Sequence, residues 1–470
     1  MLRKHVHVYA FLCVVLALTG CGTIPLRNKP LDRFTEGAGY RYENIARGEN
    51  NSDSLLVIIT FSGGGTRSAA FCYGVLEKLR DTEIVWEGRP RRLLDEVDII
   101  SSVSGGSLPA AYFGLFGDRI FEDFPDKALY KSLQGTLIKQ VFMPRNWPKL
   151  ASPFYGRIDM LAENFSRNIF ERKTFGDLMK RNQPPFIVLN ATDAVLGSRF
   201  DFTQRQFDLL YSDLSYYPVG YAVAASAAFP GLLTPMTFLN YPKKEDYVPP
   251  AWVQEELESK NVGRLRYRQA LEAQTYLKPG RPYVYLCDGG VSDNLGLLPV
   301  IQLLGGTFPG DNVNAKLKSG VFKKVVVITV NAKRVNKVSW DVKGKGLGVF
   351  KVLKQASSVP MGNFSDAELA FTRLFMRQHT EEKRMRDKIT QSFGKDAVPE
   401  HFPELVGPDI DFHFIEVDFE RVPDETERDY LNTIPTAFKL KREQVDTLRK
   451  AAGQILDANT DFQRLLTEMK

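Results

Sequence analysis

The chain has 470 residues, a formal charge of +6, 43% apolar and 25% charged residues, and a mean hydropathy of −0.23. Those are the proportions of an ordinary globular protein. So small a charge on so long a chain leaves no nucleic-acid footprint and predicts no nucleic-acid partner.

Arg3 and Lys4 precede an apolar run, Val8 to Leu18, that is too short to span a bilayer. Leu18-Thr19-Gly20-Cys21 follows with the pattern of a bacterial lipobox. Residues 1–20 therefore read as a lipoprotein signal peptide and Cys21 as the lipidated first residue of the mature chain. Gly22 favours the outer membrane, facing the periplasm. Removing Arg3 and Lys4 takes the charge from +6 to +4. No later stretch is long and apolar enough for a transmembrane helix, so lipid on Cys21 is expected to be the only covalent tie to the membrane. Cys72 and Cys287 remain, both in apolar runs, and are expected to pack as free thiols rather than pair.

Residues 21–50 are polar and read as a lipidated tether. From there apolar strands alternate with helical patterns: strand 55–61, helix 66–80, strand 97–102, helix 105–116, strand 186–191, strand 283–287, helix 294–304 and strand 324–331. The alternation predicts a three-layer α/β/α sandwich with a mainly parallel central sheet over residues 51–335. Chemistry in such sheets gathers outside the carboxyl ends of the strands. Irregular stretches at 118–165 and 238–282, the second with a helical pattern near 252–273, are candidate caps over the site. Between Lys333 and Lys354, seven Lys/Arg face one acid; a solvated loop and helix face is the expected role, anionic head groups the alternative. Residues 336–470 read as a mostly helical extension: an amphipathic pattern at 365–393, a strand near 411–420, and a helix at 441–468. This extension is expected to pack on the catalytic unit and return its strand to the sheet edge.

Three short segments sit at strand ends. Ser62-Gly63-Gly64-Gly65-Thr66-Arg67 offers consecutive backbone N–H donors but breaks both the dinucleotide and the Walker patterns. Gly63, Gly64 and Gly65 are the expected oxyanion donors, with Arg67 locking the loop or meeting a lipid phosphate. Ser102-Val103-Ser104-Gly105-Gly106 places a serine at a sharp strand-to-helix turn, with small Gly106 closing a near match to Gly-x-Ser-x-Gly. Asp288-Gly289-Gly290 ends a third strand with a carboxylate and two glycines that allow close backbone passage. Asp293 is expected to cap helix 294–304. Oxyanion donors, nucleophile and base are the parts of a serine acyl hydrolase.

With these motifs in that order, residues 54–332 resemble the patatin-like phospholipases. Asn190-Ala191-Thr192-Asp193, Arg199 to Thr203, and Ala224 to Gly231 look like that family's middle blocks. Ser102 departs from the elbow glycine, and Ser68 from the glycine that often follows the family's basic residue. The resemblance implies that Ser104 is the nucleophile, Asp288 its base, Gly64 and Gly65 oxyanion donors, and an acyl ester of a lipid the substrate. No cofactor and no metal are expected, since no residue spacing resembles a metal site. Of the five histidines, His5 and His7 leave with the signal. His379, His401 and His413 lie far from the motifs, which points to a Ser–Asp dyad. The competing expectation is a non-catalytic envelope lipoprotein that keeps the fold for lipid or protein binding; a fluorophosphonate probe separates the two.

Overall fold

The computed structural model describes residues 26–131, 149, 152, 154–262, 264–305, 312–335, 348–394, 398, 401, 407 and 409–470. The signal, the lipobox with Cys21, the middle of the 118–165 insertion and most of the 333–354 basic run lie outside the described residues. Among the described residues no helix is long and apolar enough to cross a membrane.

The sheet's centre is built from runs too apolar to expose either face. β1 (Leu55–Phe61), β2 (Val97–Val103), β3 (Phe186–Asp193) and β7 (Lys324–Asn331) are buried at every position, the pattern of parallel strands covered on both sides. Around them lie β4 (Arg199–Asp201), β5 (Met236–Leu239), β6 (Tyr283–Asp288) and β8 (Asp411–Asp418). The strand order is β8-β7-β1-β2-β3-β6-β5, with β4 also on β3. β8, β7, β1, β2 and β3 run parallel; β4, β5 and β6 join antiparallel. The sheet is thus mixed and mostly parallel, as expected. Its helices include α1 (Gly65–Arg80), α2 (Ser107–Phe116), α3 (Arg157–Asn168), α4 (Val219–Ser226), α5 (Gly290–Asp293), α6 (Leu298–Leu304), α7 (Val349–Phe393), α8 (Arg442–Ala458) and α9 (Thr460–Glu468).

Several element boundaries differ from the sequence reading. The helix expected at 294–304 begins only at Leu298, because Asp293 reaches forward to accept the N–H groups of Leu297 (3.1 Å) and Leu298 (2.9 Å). The helix at 441–468 divides at Asn459, whose side chain caps α9 through Asp461 and Phe462 N–H. The pattern near 252–273 is two helices, 251–259 and 265–277. The amphipathic pattern at 365–393 is the second half of a 45-residue helix, α7.

Residues 28–47 are not a tether. Lys29 and Pro30 pair with Asp213 and Ser212, Tyr40 is buried against Phe175 and Phe186, and Arg41 forms a buried ion pair with Asp208. A polar composition hid these anchors, since one tyrosine and one arginine suffice to fix a short segment when both are fully partnered.

The C-terminal extension joins the core at two places. β8 pairs with β7 over eight residues, Lys324↔Asp411 to Asn331↔Asp418. α8 lies along α1 so closely that a Cβ on Gly74 would stand 2.3 Å from the Arg449 carbonyl oxygen. Arg449 grips Glu77 through Nε (3.0 Å) and Nη2 (2.8 Å). Cys72 and Cys287 are buried and free.

Candidate active site

β2 and β6 bring their ends together along one edge of β3. Asn190 of β3 pairs with Val103 on one side and Asp201 of β4 on the other. Ala191 and Thr192 pair with β4 and also with Asp288 and Cys287. β4 fills one edge, so β2 and β6 share the opposite edge and meet tip to tip. Asp288 therefore approaches from the reverse direction to the parallel strands, not from a parallel strand's carboxyl end as the alternation suggested. β6 touches β3 only through its last three residues, which is why a short antiparallel partner was invisible in the pattern.

Ser104 bridges that junction. Its φ is +51°, a left-handed value that costs energy for a side-chain-bearing residue and marks a strained elbow. Its Oγ donates to Asp288 Oδ2 at 2.9 Å. Both residues are buried, Ser104 at 8% exposure and Asp288 at 4%. Asp288 Oδ1 accepts the Gly290 N–H at 2.8 Å. Burial pushes the Asp288 carboxyl from 3.8 up to about 6, against the downward pull of the Gly290 N–H and the Ser104 hydroxyl.

The glycine loop packs directly on the elbow. A Cβ on Gly105 would stand 2.0 Å from the Gly65 carbonyl oxygen, and one on Gly106 would stand 2.7 Å from that of Ser62. One expected donor is withdrawn: the Gly63 N–H is already spent on the Asn294 carbonyl oxygen at 2.9 Å. The N–H groups of Gly64 and Gly65 have no partner among the described residues. Gly64 (φ +145°) and Gly65 (φ +61°) need the freedom of glycine to present them. Arg67 is held inside the fold. It is buried, donating Nε to the Ala332 carbonyl (2.9 Å) and Nη1 to that of Ile434 (3.1 Å). Burial, with Arg334 nearby, lowers its guanidinium to about 9. Gly289 lets β6 pass β3, since a Cβ there would stand 2.2 Å from the Asn190 carbonyl oxygen.

Two supporting residues escaped the sequence reading. Ser226 Oγ accepts the Ser104 N–H (2.7 Å) and donates to the Asn190 carbonyl (2.6 Å), which fixes the strained elbow to β3. Asn294, besides holding Gly63, sets its side-chain oxygen 2.6 Å and 2.8 Å from where Cβ atoms of Gly63 and Gly290 would stand. Ser226 lies within the Ala224–Gly231 block, so the signal was its place between alanines of a buried helix. Replacing Ser226 by alanine leaves a buried N–H and carbonyl unpaired, a cost of about 1–3 kcal/mol. Turnover of a soluble ester is expected to fall at least tenfold with KM little changed, measurable by steady-state kinetics.

Two of the three candidate histidines are engaged elsewhere. His413 is buried in β8, its Nε2 3.0 Å from Lys324 Nζ, and burial with that ammonium lowers it to about 4. His379 meets Phe375 edge-on and Phe412 at a tilt. Among the described residues no group of three or more metal-ligand side chains occurs. A small cavity opens elsewhere, between Ile58, Ile99 and Val188 of the sheet and Val300 and Leu303 of α6; neither Ser104 nor Asp288 lines it.

α7 closes the site on one side. Its Met361 methyl would lie 2.7 Å from a Cβ on Gly290, beside Asp288. Two turns further, buried Glu368 lies against Asp293; its oxygens find no donor among the described residues. Burial and the Asp293 charge push that carboxyl well above the usual carboxylate range.

The family model for patatin-like phospholipase matches residues 59–301, just over half of the chain, and the protein belongs to that family. No curated protein matches the chain. Among solved structures, human GIVD cytosolic phospholipase A2 matches with 14% identity and a TM-score of 0.34, covering 59% of this chain and 43% of that one. The same enzyme with methyl gamma-linolenyl fluorophosphonate inhibitor and terbium chloride gives 13% identity, a TM-score of 0.30, and coverages of 59% and 41%. VipD from Legionella pneumophila gives 11% identity and a TM-score of 0.33, covering 97% of this chain and 73% of that one. The chain thus spans less than half the length of the human phospholipase chains it matches. Family membership rests on the sequence match, and the activity on the site's own chemistry.

Proposed function

We propose that the protein is a serine acyl-ester hydrolase of the phospholipase A or lysophospholipase type, acting on membrane lipids through a Ser104–Asp288 dyad. The observation that carries this reading is the 2.9 Å bond from Ser104 Oγ to Asp288 Oδ2 at a strained elbow, packed against a glycine loop with two uncommitted N–H groups. Asp288 takes the hydroxyl proton as Ser104 attacks the ester carbonyl. Gly64 and Gly65 hold the oxyanion. Asp288 then returns the proton to the leaving alcohol, and water repeats the cycle on the acyl-enzyme. A fluorophosphonate probe tests it: Ser104 should be the labelled residue, and mass spectrometry of lipid products should show released acyl chains. A chain that takes no label is not this enzyme.

The proposed setting is the bacterial cell envelope, with lipid on Cys21 holding the protein to the periplasmic face of the outer membrane. Unchanged palmitate incorporation in Cys21→Ala would refute it.

Activity should follow the ionisation of one carboxyl. Asp288 works as a base only when ionised, and its raised value sets the midpoint. Turnover should therefore rise with pH through about 6 and level off above it. Replacing His379, His401 or His413 by asparagine should leave the midpoint unmoved in a pH–rate profile.

A further inference from the structure

α7 carries an apolar stripe that the fold leaves uncovered. Phe364, Phe371, Leu374, Met385 and Phe393 are 42%, 52%, 65%, 55% and 78% exposed. At about 100° per residue these five fall within an arc of roughly 100° on the helix. The residues that α7 buries, among them Ser365, Glu368, Leu369, Thr372 and Met376, fall on a separate arc. Scattered exposed apolar residues need no explanation, but a row of three phenylalanines, a leucine and a methionine along one helix face does.

The stripe leads to the catalytic junction. Met361, one turn before Phe364, is the side chain that meets Gly290 beside Asp288. α5, against which α7 packs, exposes Val291. Leu232 is also exposed, in the loop just after Ala228, whose carbonyl accepts the Asp288 N–H at 3.0 Å. One border of the stripe holds Arg377, Arg384 and Lys388, all exposed; Arg377 and Lys388 have no ion-pair partner among the described residues. Gln378 and Glu382, hydrogen-bonded to each other, divide this face into a cluster of Phe364, Phe371 and Leu374 and a second of Met385 and Phe393, and Glu381 pairs with Arg384 at the border. Two apolar clusters bordered by Arg377 and Lys388 match an anionic lipid interface, with rings in the acyl boundary and cations among the head groups.

The geometry points to α7 as the surface by which the protein docks on an anionic bilayer, its Phe364–Phe393 stripe laid in the interface with the Ser104–Asp288 opening turned toward the lipid. This rests on the lipid-hydrolase reading, since it names where that substrate is met. The amphipathic half of the helix was legible in the sequence; that its apolar residues divide between a buried and an exposed arc was not.

The test uses the full chain with Cys21→Ala, so that no acyl anchor contributes, and vesicles of equal parts phosphatidylethanolamine and phosphatidylglycerol. Phe371→Ser/Leu374→Ser should weaken vesicle co-sedimentation at least tenfold and slow phospholipid hydrolysis in parallel. Hydrolysis of a water-soluble short-chain ester should stay within about twofold, because neither residue touches Ser104 or Asp288. Met385→Ser/Phe393→Ser supplies a second variant on the same stripe and should act alike. Co-sedimentation unchanged in both variants would overturn the proposal. So would a parent protein that sediments as a dimer and is made monomeric by the substitutions, which would assign the stripe to a second copy. Stripe-dependent vesicle binding by a parent that cleaves no ester would leave the docking face standing and remove the hydrolase reading.

Discussion

Ser104→Ala and Asp288→Asn should each lower ester turnover by about 10⁴-fold, and the double variant should be little worse than either. The reason is geometric: among the described residues the Asp288 carboxylate is the one acceptor that Ser104 Oγ meets, so removing either partner removes the proposed proton path. Asparagine keeps an oxygen for the Gly290 N–H but turns an amide toward Ser104, which cannot take its proton. Stability should move the other way. The folded Asp288 binds its proton more tightly than the unfolded chain does, about 6 against 3.8. Its contribution is therefore favourable below about 4, declines as pH rises through 6, and is a full penalty above. Asp288→Asn should then melt higher than the parent at pH 8 and no higher at pH 4. Near-normal turnover in Ser104→Ala, in purified protein, would refute the assignment.

Ending the chain at Ile410 should abolish folding rather than trim an accessory. β7 would lose its β8 partner along eight residues. The α1 face beneath α8 would be stripped of Val445, Leu448, Ile455 and Leu456, all buried. At roughly 1.5–3 kcal/mol per buried side chain, these four alone rival the whole stability of a typical domain. The loss also reaches the site, because the Ala437 carbonyl accepts the Thr66 N–H at 2.9 Å and the Ile434 carbonyl holds Arg67. The truncated chain should be insoluble and unreactive toward a fluorophosphonate. A soluble, probe-reactive fragment ending at 410 would show the extension to be dispensable.

The parts of the site that announced themselves were those with a strong local signature. β1 and β7 appeared at their observed boundaries because a buried parallel strand is a continuous apolar run bounded by polar residues. The Ser104 elbow and the Asp288 turn were visible for the same reason, as small residues clustered after such runs. What stayed hidden depends on partners far apart in sequence. The direction of β6 is settled by three pairings with β3, and nothing in Tyr283 to Asp288 encodes it. Gly63 looked like its neighbours until Asn294, more than two hundred residues away, was seen to occupy its N–H. Ser226 is one serine among alanines, and only the carbonyl of Asn190 and the amide of Ser104 give it a task. Arg67 presents the same problem in reverse: a cation beside a glycine loop suggests an anion, yet it is buried and two carbonyls accept from its Nε and Nη1.

The tip-to-tip meeting of β2 and β6 separates distance in sequence from distance in space. Ser104 and Asp288 are 184 residues apart in the chain, yet each is gauged against the same few residues of β3, Asn190 to Thr192. Like two jaws riding on one rule, they hold their spacing through the rule and not through the chain that joins them. Chain inserted between the two strands can therefore change in length without resetting the gap between Ser104 and Asp288. The spacing of the two side chains is a property of β3, whatever the intervening chain does.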